Sequence, residues 1–299
     1  MNLHVLNVFF VSTLLIPSGS EYVEKSHPSA TLFDHDDNNQ SLFLLPSDIT
    51  TPYSIEASSG QISGHATYYA GIKNATDHVH FLVDGPNCPL SKTSTFAKRH
   101  HCTYTINGGP FTNLRLGGCI GPIMSHGMWI HNGTNGDSTI FGVTEDNHWM
   151  VGVWDVKRAI EWKARDVITG LDNAWLVQNG IVARDARQSL SFAPRTAIGV
   201  TARGKLMLVQ VDGCEHCPFE NERKRGVSLV ELGSFMISQL GVSFAINLDG
   251  GGSATTVVDG HVVNRPTCLD YINAKCQRKV ATVVCIGDER KRYTSALVY

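Results

Sequence analysis

Along this chain, apolar and polar positions alternate more often than they follow a helical period. Residues 78–84 (HVHFLVD) alternate and then break at Gly85-Pro86-Asn87, which predicts a strand and a turn. Short strands with Gly-rich turns continue to about residue 155. Residues 196–211 predict a hairpin, with TAIGVT and LMLVQV flanking a turn at Ala202-Arg203-Gly204-Lys205. The clearest helix is predicted over 228–240, where Leu229, Leu232, Met236 and Leu240 share one face. Ser228 and Glu231 form an S-x-x-E capping box at its start, and Gly241 suits a left-handed closing residue. Residues 242–248 (VSFAINL) alternate as a strand, and a second hairpin spans 255–263 around Asp259-Gly260. The predicted class is α+β: strand-rich mixed sheets with a few packed helices in a single domain.

The ends read differently. Residues 3–16 are an apolar run, shorter than the ~20 residues a bilayer-spanning helix needs. Pro17, Ser18, Gly19 and Ser20 follow, so residues 1–20 are expected to be a cleaved signal peptide. Residues 21–60 are polar, with Asp34, Asp36, Asp37, Asn38 and Asn39 clustered, and predict an irregular N-terminal segment or propeptide. The body is expected over 61–287, and 288–299 is expected to be a charged, short tail without a membrane anchor.

Composition narrows the class. The 299 residues hold 25 Lys+Arg against 27 Asp+Glu, and this balance argues against a partner gripped by phosphate attraction alone, such as nucleic acid. Eight cysteines behind a signal peptide favour four disulfides. Cys214-Glu-His-Cys217 has ligand-like spacing, but no clean second pair accompanies it, so no metal or other cofactor is expected. Sequons at Asn39, Asn74 and Asn132 fit the same secretory route.

Three segments carry candidate chemistry. In Asn247-Leu-Asp249-Gly250-Gly251-Gly252-Ser253, a strand ends at a carboxylate followed by three glycines, which can fold into an anion-holding nest or a plain turn. No Lys follows to make a phosphate-binding loop, and Thr255 stands where a nucleophile elbow needs Gly, so Ser253 is not expected to attack substrate. In Asn107-Gly108-Gly109, the Asn amide suits sugar hydroxyls, although Asn-Gly also favours a tight turn. Arg195 opens a strand, and its planar fork can hold a phosphate.

NGG-x-F at 107–111, RTAIG at 195–199 and NLDGGGSAT at 247–255 together resemble the phosphodiester glycosidase family. Gly64-His65, Cys119, Arg225-Gly226 with Glu231, and TVVC at 282–285 extend the resemblance over roughly 60–287. It departs at Gly-Gly-Pro-Phe, where Phe-Phe is more usual, and the chain stops before the EGF-like modules and membrane span of vertebrate members. The resemblance implies removal of N-acetylglucosamine (GlcNAc) from a GlcNAc-phosphate-mannose diester, with phosphorylated N-glycans of lysosomal glycoproteins as substrate. It implies the pairings Cys88–Cys119, Cys102–Cys285 and Cys268–Cys276; the remaining Cys214 and Cys217 are expected to form a local bridge. A soluble protein of the Golgi lumen or a secreted one is expected.

A phosphate monoester has a second pKa near ~6 and leaves well without full protonation, so cleavage of the sugar C–O bond needs anion stabilisation more than a strong acid. Arg195 and the N–H groups of Gly250–Gly252 are the expected anion holders. Asp249 is expected to stabilise the sugar cation or activate water. Glu231 is a candidate second carboxylate in competition with its capping role, and His65 a candidate phosphate ligand or proton shuttle. Asn107 would orient sugar hydroxyls, and Asp212 is either a further site carboxylate or a turn residue. Two other readings use the same residues: a glycosidase for another sugar-phosphate diester of a surface glycan, and a non-catalytic sugar-phosphate-binding module.

Overall fold

A computed structural model describes residues 42–136, 138–171, 175–214, 217, 221–267 and 276–287. The expected signal peptide, Asn39, Cys268 and the tail 288–299 lie outside them. Among the described residues, alternation in the sequence becomes three large antiparallel sheets and two two-stranded ones. The seven-stranded central sheet runs in the order Ile181–Val182, Trp175–Gln178, Val242–Asn247, Arg195–Thr201, Leu206–Val211, His65–Lys73, Ser54–Ile62. A six-stranded sheet contains Leu42–Leu45, Trp149–Val153, Thr139–Thr144 and Ala164–Thr169; a five-stranded sheet contains Thr256–Val258, Tyr104–Asn107, Thr282–Ile286 and Val79–Val83.

Period-two patterning explains how the central sheet is covered on both faces. Ile198, Val200, Leu206, Leu208, Phe244 and Ile246 face a core that reaches Trp149 and Phe141 of the six-stranded sheet and Ile106 and Val284 of the five-stranded one. Their neighbours Ala197, Met207, Val209, Val211 and Ala245 face the helix Leu229–Ser238 through Leu229, Leu232 and Met236. That helix starts in the predicted capping box. Gly241 closes it at φ +66°, its N–H donating to the Ile237 carbonyl at 3.1 Å.

The expectation that 21–60 is irregular is corrected from residue 42 onward. Leu42–Leu45 pairs with Trp149–Gly152, and Phe43 packs against Phe244 with ring centroids 5.1 Å apart. Ser54–Ile62 pairs along its whole length with His65–Lys73. As an edge strand it is solvated over much of its surface, so its sequence SIEASSGQI carries no hydrophobic alternation to read.

Three disulfides join described residues: Cys88–Cys119, Cys102–Cys285 and Cys214–Cys217. Cys276 is also disulfide-bonded; its expected partner Cys268 is outside the described residues. Cys214 and Cys217 are thus not available as thiolate ligands. Of the described sequons, Asn132 is exposed and Asn74 half-buried. Among the described residues, no helix is long and apolar enough to cross a membrane.

Candidate active site

Antiparallel order gathers the three motifs at one end of the central sheet. Arg195 pairs with Val211, Val211 with Thr67, and Ala197 with Asn247. One step further, the Leu248 N–H donates to the Thr196 carbonyl at 2.8 Å, and this register sets Asp249 alongside Arg195. Strand alternation directs Arg195 to the helix-side face, because Ala197, two residues on, packs on that side. The Arg195 side chain is 6% exposed. Its Nε donates to the Val227 carbonyl at 3.2 Å, and its Nη2 to the carbonyl and Oγ of Ser191 at 2.7 and 2.8 Å.

Asn107 joins the segments. Its Nδ2 donates to the Asp249 carbonyl at 2.6 Å, and its Oδ1 accepts from Thr196 Oγ1 at 2.8 Å and the Thr255 N–H at 3.1 Å. The Asp249 N–H returns to the Gly108 carbonyl at 3.1 Å. This corrects the expected role of Asn107: it is fully buried and both ends of its amide are taken up within the protein, so it shapes the site rather than touching sugar hydroxyls. The two glycines beside it permit close packing. A Cβ on Gly108 would lie 2.3 Å from Thr282 Oγ1, and one on Gly109 the same distance from the Thr169 carbonyl. Thr282 in turn accepts from both N–H groups, Gly108 at 2.8 Å through its carbonyl and Gly109 at 2.9 Å through its hydroxyl.

Of the N–H groups of Gly250–Gly252 expected to hold an anion, that of Gly251 donates instead to the Pro194 carbonyl at 2.9 Å; the Ser253 N–H donates to the Gly250 carbonyl at 3.0 Å. Gly250 lies against Pro194, where a Cβ would meet the carbonyl oxygen at 2.5 Å. In and beside the glycine bend in sequence, Asn247 Oδ1, Ser253 Oγ and Thr255 Oγ1 are buried with no hydrogen-bond partner among the described residues.

Glu231, expected as a second carboxylate, is occupied as a cap. Its Oε2 accepts from the N–H and Oγ of Ser228, both at 2.9 Å, and its Oε1 from Ser63 Oγ at 2.7 Å. Burial alone raises its pKa, but the Ser228 N–H, the two hydroxyls and the nearby Arg223 charge outweigh that and hold it below the usual carboxylate value. A depressed folded-state pKa contributes stability that is full above the unfolded value of about 4.5 and is lost as pH falls through that value and below it. Glu231→Gln is therefore expected to lower stability at pH 7 by about 1 kcal/mol and to flatten the acid limb, read by urea unfolding at pH 3.5 and 7.

His65 follows the Ser63-Gly64 turn, whose φ values are +50° and +85°, and its Nε2 lies 2.7 Å from the Arg223 carbonyl. The ring is thus held by the chain near Glu231 on the Arg195 side of the sheet end. Asp212 sits on the other face as a hub: its carboxylate accepts from Gln210 Nε2 at 3.1 Å, Asn264 Nδ2 at 3.0 Å and the Arg265 N–H at 3.1 Å. It is 8% exposed, and these bonds tie the strand end to the Asn264-Arg265 segment.

Sequence reasoning does not reach the roles of Thr196, Thr255 and Thr282: Thr196 and Thr255 lie inside the motifs and Thr282 opens TVVC, but their hydroxyl and N–H bonds are set by segments distant in the chain.

Comparison with known proteins agrees with the geometry. Residues 100–287 match the family model for phosphodiester glycosidase, more than half of the chain. The bovine N-acetylglucosamine-1-phosphodiester alpha-N-acetylglucosaminidase is 30% identical over 212 residues, covering 65% of this chain and 38% of the bovine protein. The human protein of the same name is 29% identical, covering 65% and 39%. The chain thus spans about two fifths of the length of these relatives. A solved zebrafish catalytic domain of that name, described as auto-inhibited by pro-peptide, superposes with a TM-score of 0.68 at 25% identity, covering 83% of this chain and 88% of the zebrafish one. An exported protein of Burkholderia pseudomallei, 13% identical with a TM-score of 0.53 and 74% of each chain covered, shares the fold alone. With its motif segments assembled at one sheet end, the chain belongs to the phosphodiester glycosidase family.

Proposed function

We propose that this chain is a hydrolase that cleaves the sugar C1–O bond of a GlcNAc-phosphate-mannose phosphodiester, releasing GlcNAc and exposing mannose 6-phosphate on glycoproteins. The observation that carries the reading is the Asn107 clasp, which ties Asp249, Thr196 and Thr255 into one rigid end of the sheet. The names of the bovine and human relatives supply the substrate class.

Asp249 faces the anomeric carbon, where it stabilises the oxocarbenium-like charge or takes a proton from the attacking water. Arg195, braced by Ser191 and Val227, balances the phosphate oxygens of the leaving group. As the C1–O bond breaks, its electron pair stays with the phosphate, and water supplies the new sugar hydroxyl. Glu231 and Asp212 support the walls of the site through their hydrogen bonds. The disulfides support a secretory-route protein, in the Golgi lumen or exported. The residues ahead of Leu42 are read as signal peptide and propeptide.

The test is incubation of the purified protein with GlcNAc-α-phosphomannose. Free GlcNAc with mannose 6-phosphate is the expected result. Cleavage confined to other sugar-phosphate diesters in a panel supports the surface-glycan reading, and binding without release supports the non-catalytic one.

A further inference from the structure

A second cation stands against the glycine bend. An alanine Cβ at Gly252 would lie 2.6 Å from Arg278 Nη2, 2.7 Å from its Cζ and 3.1 Å from its Nη1, so the guanidinium rests where a side chain would otherwise be. The backbone presenting Arg278 is anchored on both sides. Gln277 Oε1 accepts from the Ser94 N–H at 3.1 Å and from Ser94 Oγ at 2.8 Å. Lys279 and Val280 pair with Lys92 and Ser91, and Cys276 is disulfide-bonded. Four residues after Arg278, Thr282 holds the N–H groups of Gly108 and Gly109. At the other side of the bend, a Cβ on Gly250 would lie 3.6 Å from Arg195 Cα. The bend thus runs between the Arg195 backbone and the Arg278 guanidinium.

We propose that Arg278 is a substrate-specificity residue that binds the phosphoryl group of the diester, and that Gly252 is glycine to seat its guanidinium. The inference rests on the reading of this site as one for sugar phosphodiesters. A planar fork fixed on a rigid backbone matches two phosphate oxygens at once, which a lysine ammonium cannot do. With Arg195 near the start of the bend and Arg278 at its end, the two cations discriminate a charged diester from a neutral glycoside.

Gly252→Ala tests this without unfolding the protein. No positive φ obstructs the substitution, and the group it displaces is the far end of a flexible side chain. Calorimetric titration of the purified protein with inorganic phosphate, mannose 6-phosphate and GlcNAc compares wild type with Arg278→Met, Arg278→Lys and Gly252→Ala. Arg278→Met is expected to weaken both phosphate ligands by about tenfold or more while GlcNAc affinity stays within about twofold. Gly252→Ala is expected to lower phosphate affinity in the same direction with an unchanged melting temperature, and Arg278→Lys to retain part of it. Phosphate affinity equal to wild type in Arg278→Met or Gly252→Ala overturns the proposal, as does a wild-type protein with no phosphate binding at millimolar concentration. A wild type that binds phosphate through Arg278 yet releases no GlcNAc defeats the hydrolase reading alone.

Discussion

Asp249→Asn is expected to reduce GlcNAc release from the diester by about a thousandfold or more, with the fold intact. The substitution is isosteric, so the main-chain bonds that place the residue survive: its N–H to Gly108 at 3.1 Å, and its carbonyl from Asn107 Nδ2 at 2.6 Å. The negative charge is removed, and in the proposed reaction that charge serves the developing sugar cation or the attacking water. Steady-state kinetics checks the size of the effect, and circular dichroism with a thermal melt checks the fold. Turnover within about tenfold of wild type removes Asp249 from the chemistry.

The second large effect is expected at Asn107. Asn107→Leu keeps approximate volume but strands three groups inside the protein: the Asp249 carbonyl, the Thr196 hydroxyl and the Thr255 N–H. Each buried polar group left unmet costs about 1–3 kcal/mol, so the loss of unfolding free energy is expected at about 3 kcal/mol or more. Activity falls with it, because the same bonds fix Asp249. Denaturant unfolding separates this outcome from Asp249→Asn, which removes activity alone. An Asn107→Leu protein of wild-type stability and turnover contradicts the clasp.

The sequence disclosed elements where apolar periodicity is bounded by clear cap or turn residues, and missed the short buried strand Leu42–Leu45. The helix over 229–238 and the two hairpins near 202–205 and 259–260 were legible because apolar periodicity and turn residues agree. Ser54–Ile62 was not, since an edge strand in water leaves no alternation. At the site, the motifs identified the right segments but not the division of labour. Asn107 and Asn247 read alike as polar residues at strand ends, yet one is fully bonded and the other keeps a buried Oδ1 without a partner. Whether a carboxylate serves a cap or a substrate depends on what folds against it: Ser63 reaches Glu231 from 168 positions away. Arg278 is legible only in space, since its meaning comes from a glycine distant in sequence.

The central claim is that the bond broken lies between sugar carbon and oxygen, leaving the phosphate monoester whole. Hydrolysis of GlcNAc-α-phosphomannose by the purified protein in ¹⁸O-labelled water, followed by mass spectrometry of both products, tests it most directly. Label is predicted in the released GlcNAc and not in mannose 6-phosphate. Label in the phosphate contradicts the account and makes the protein a phosphodiesterase.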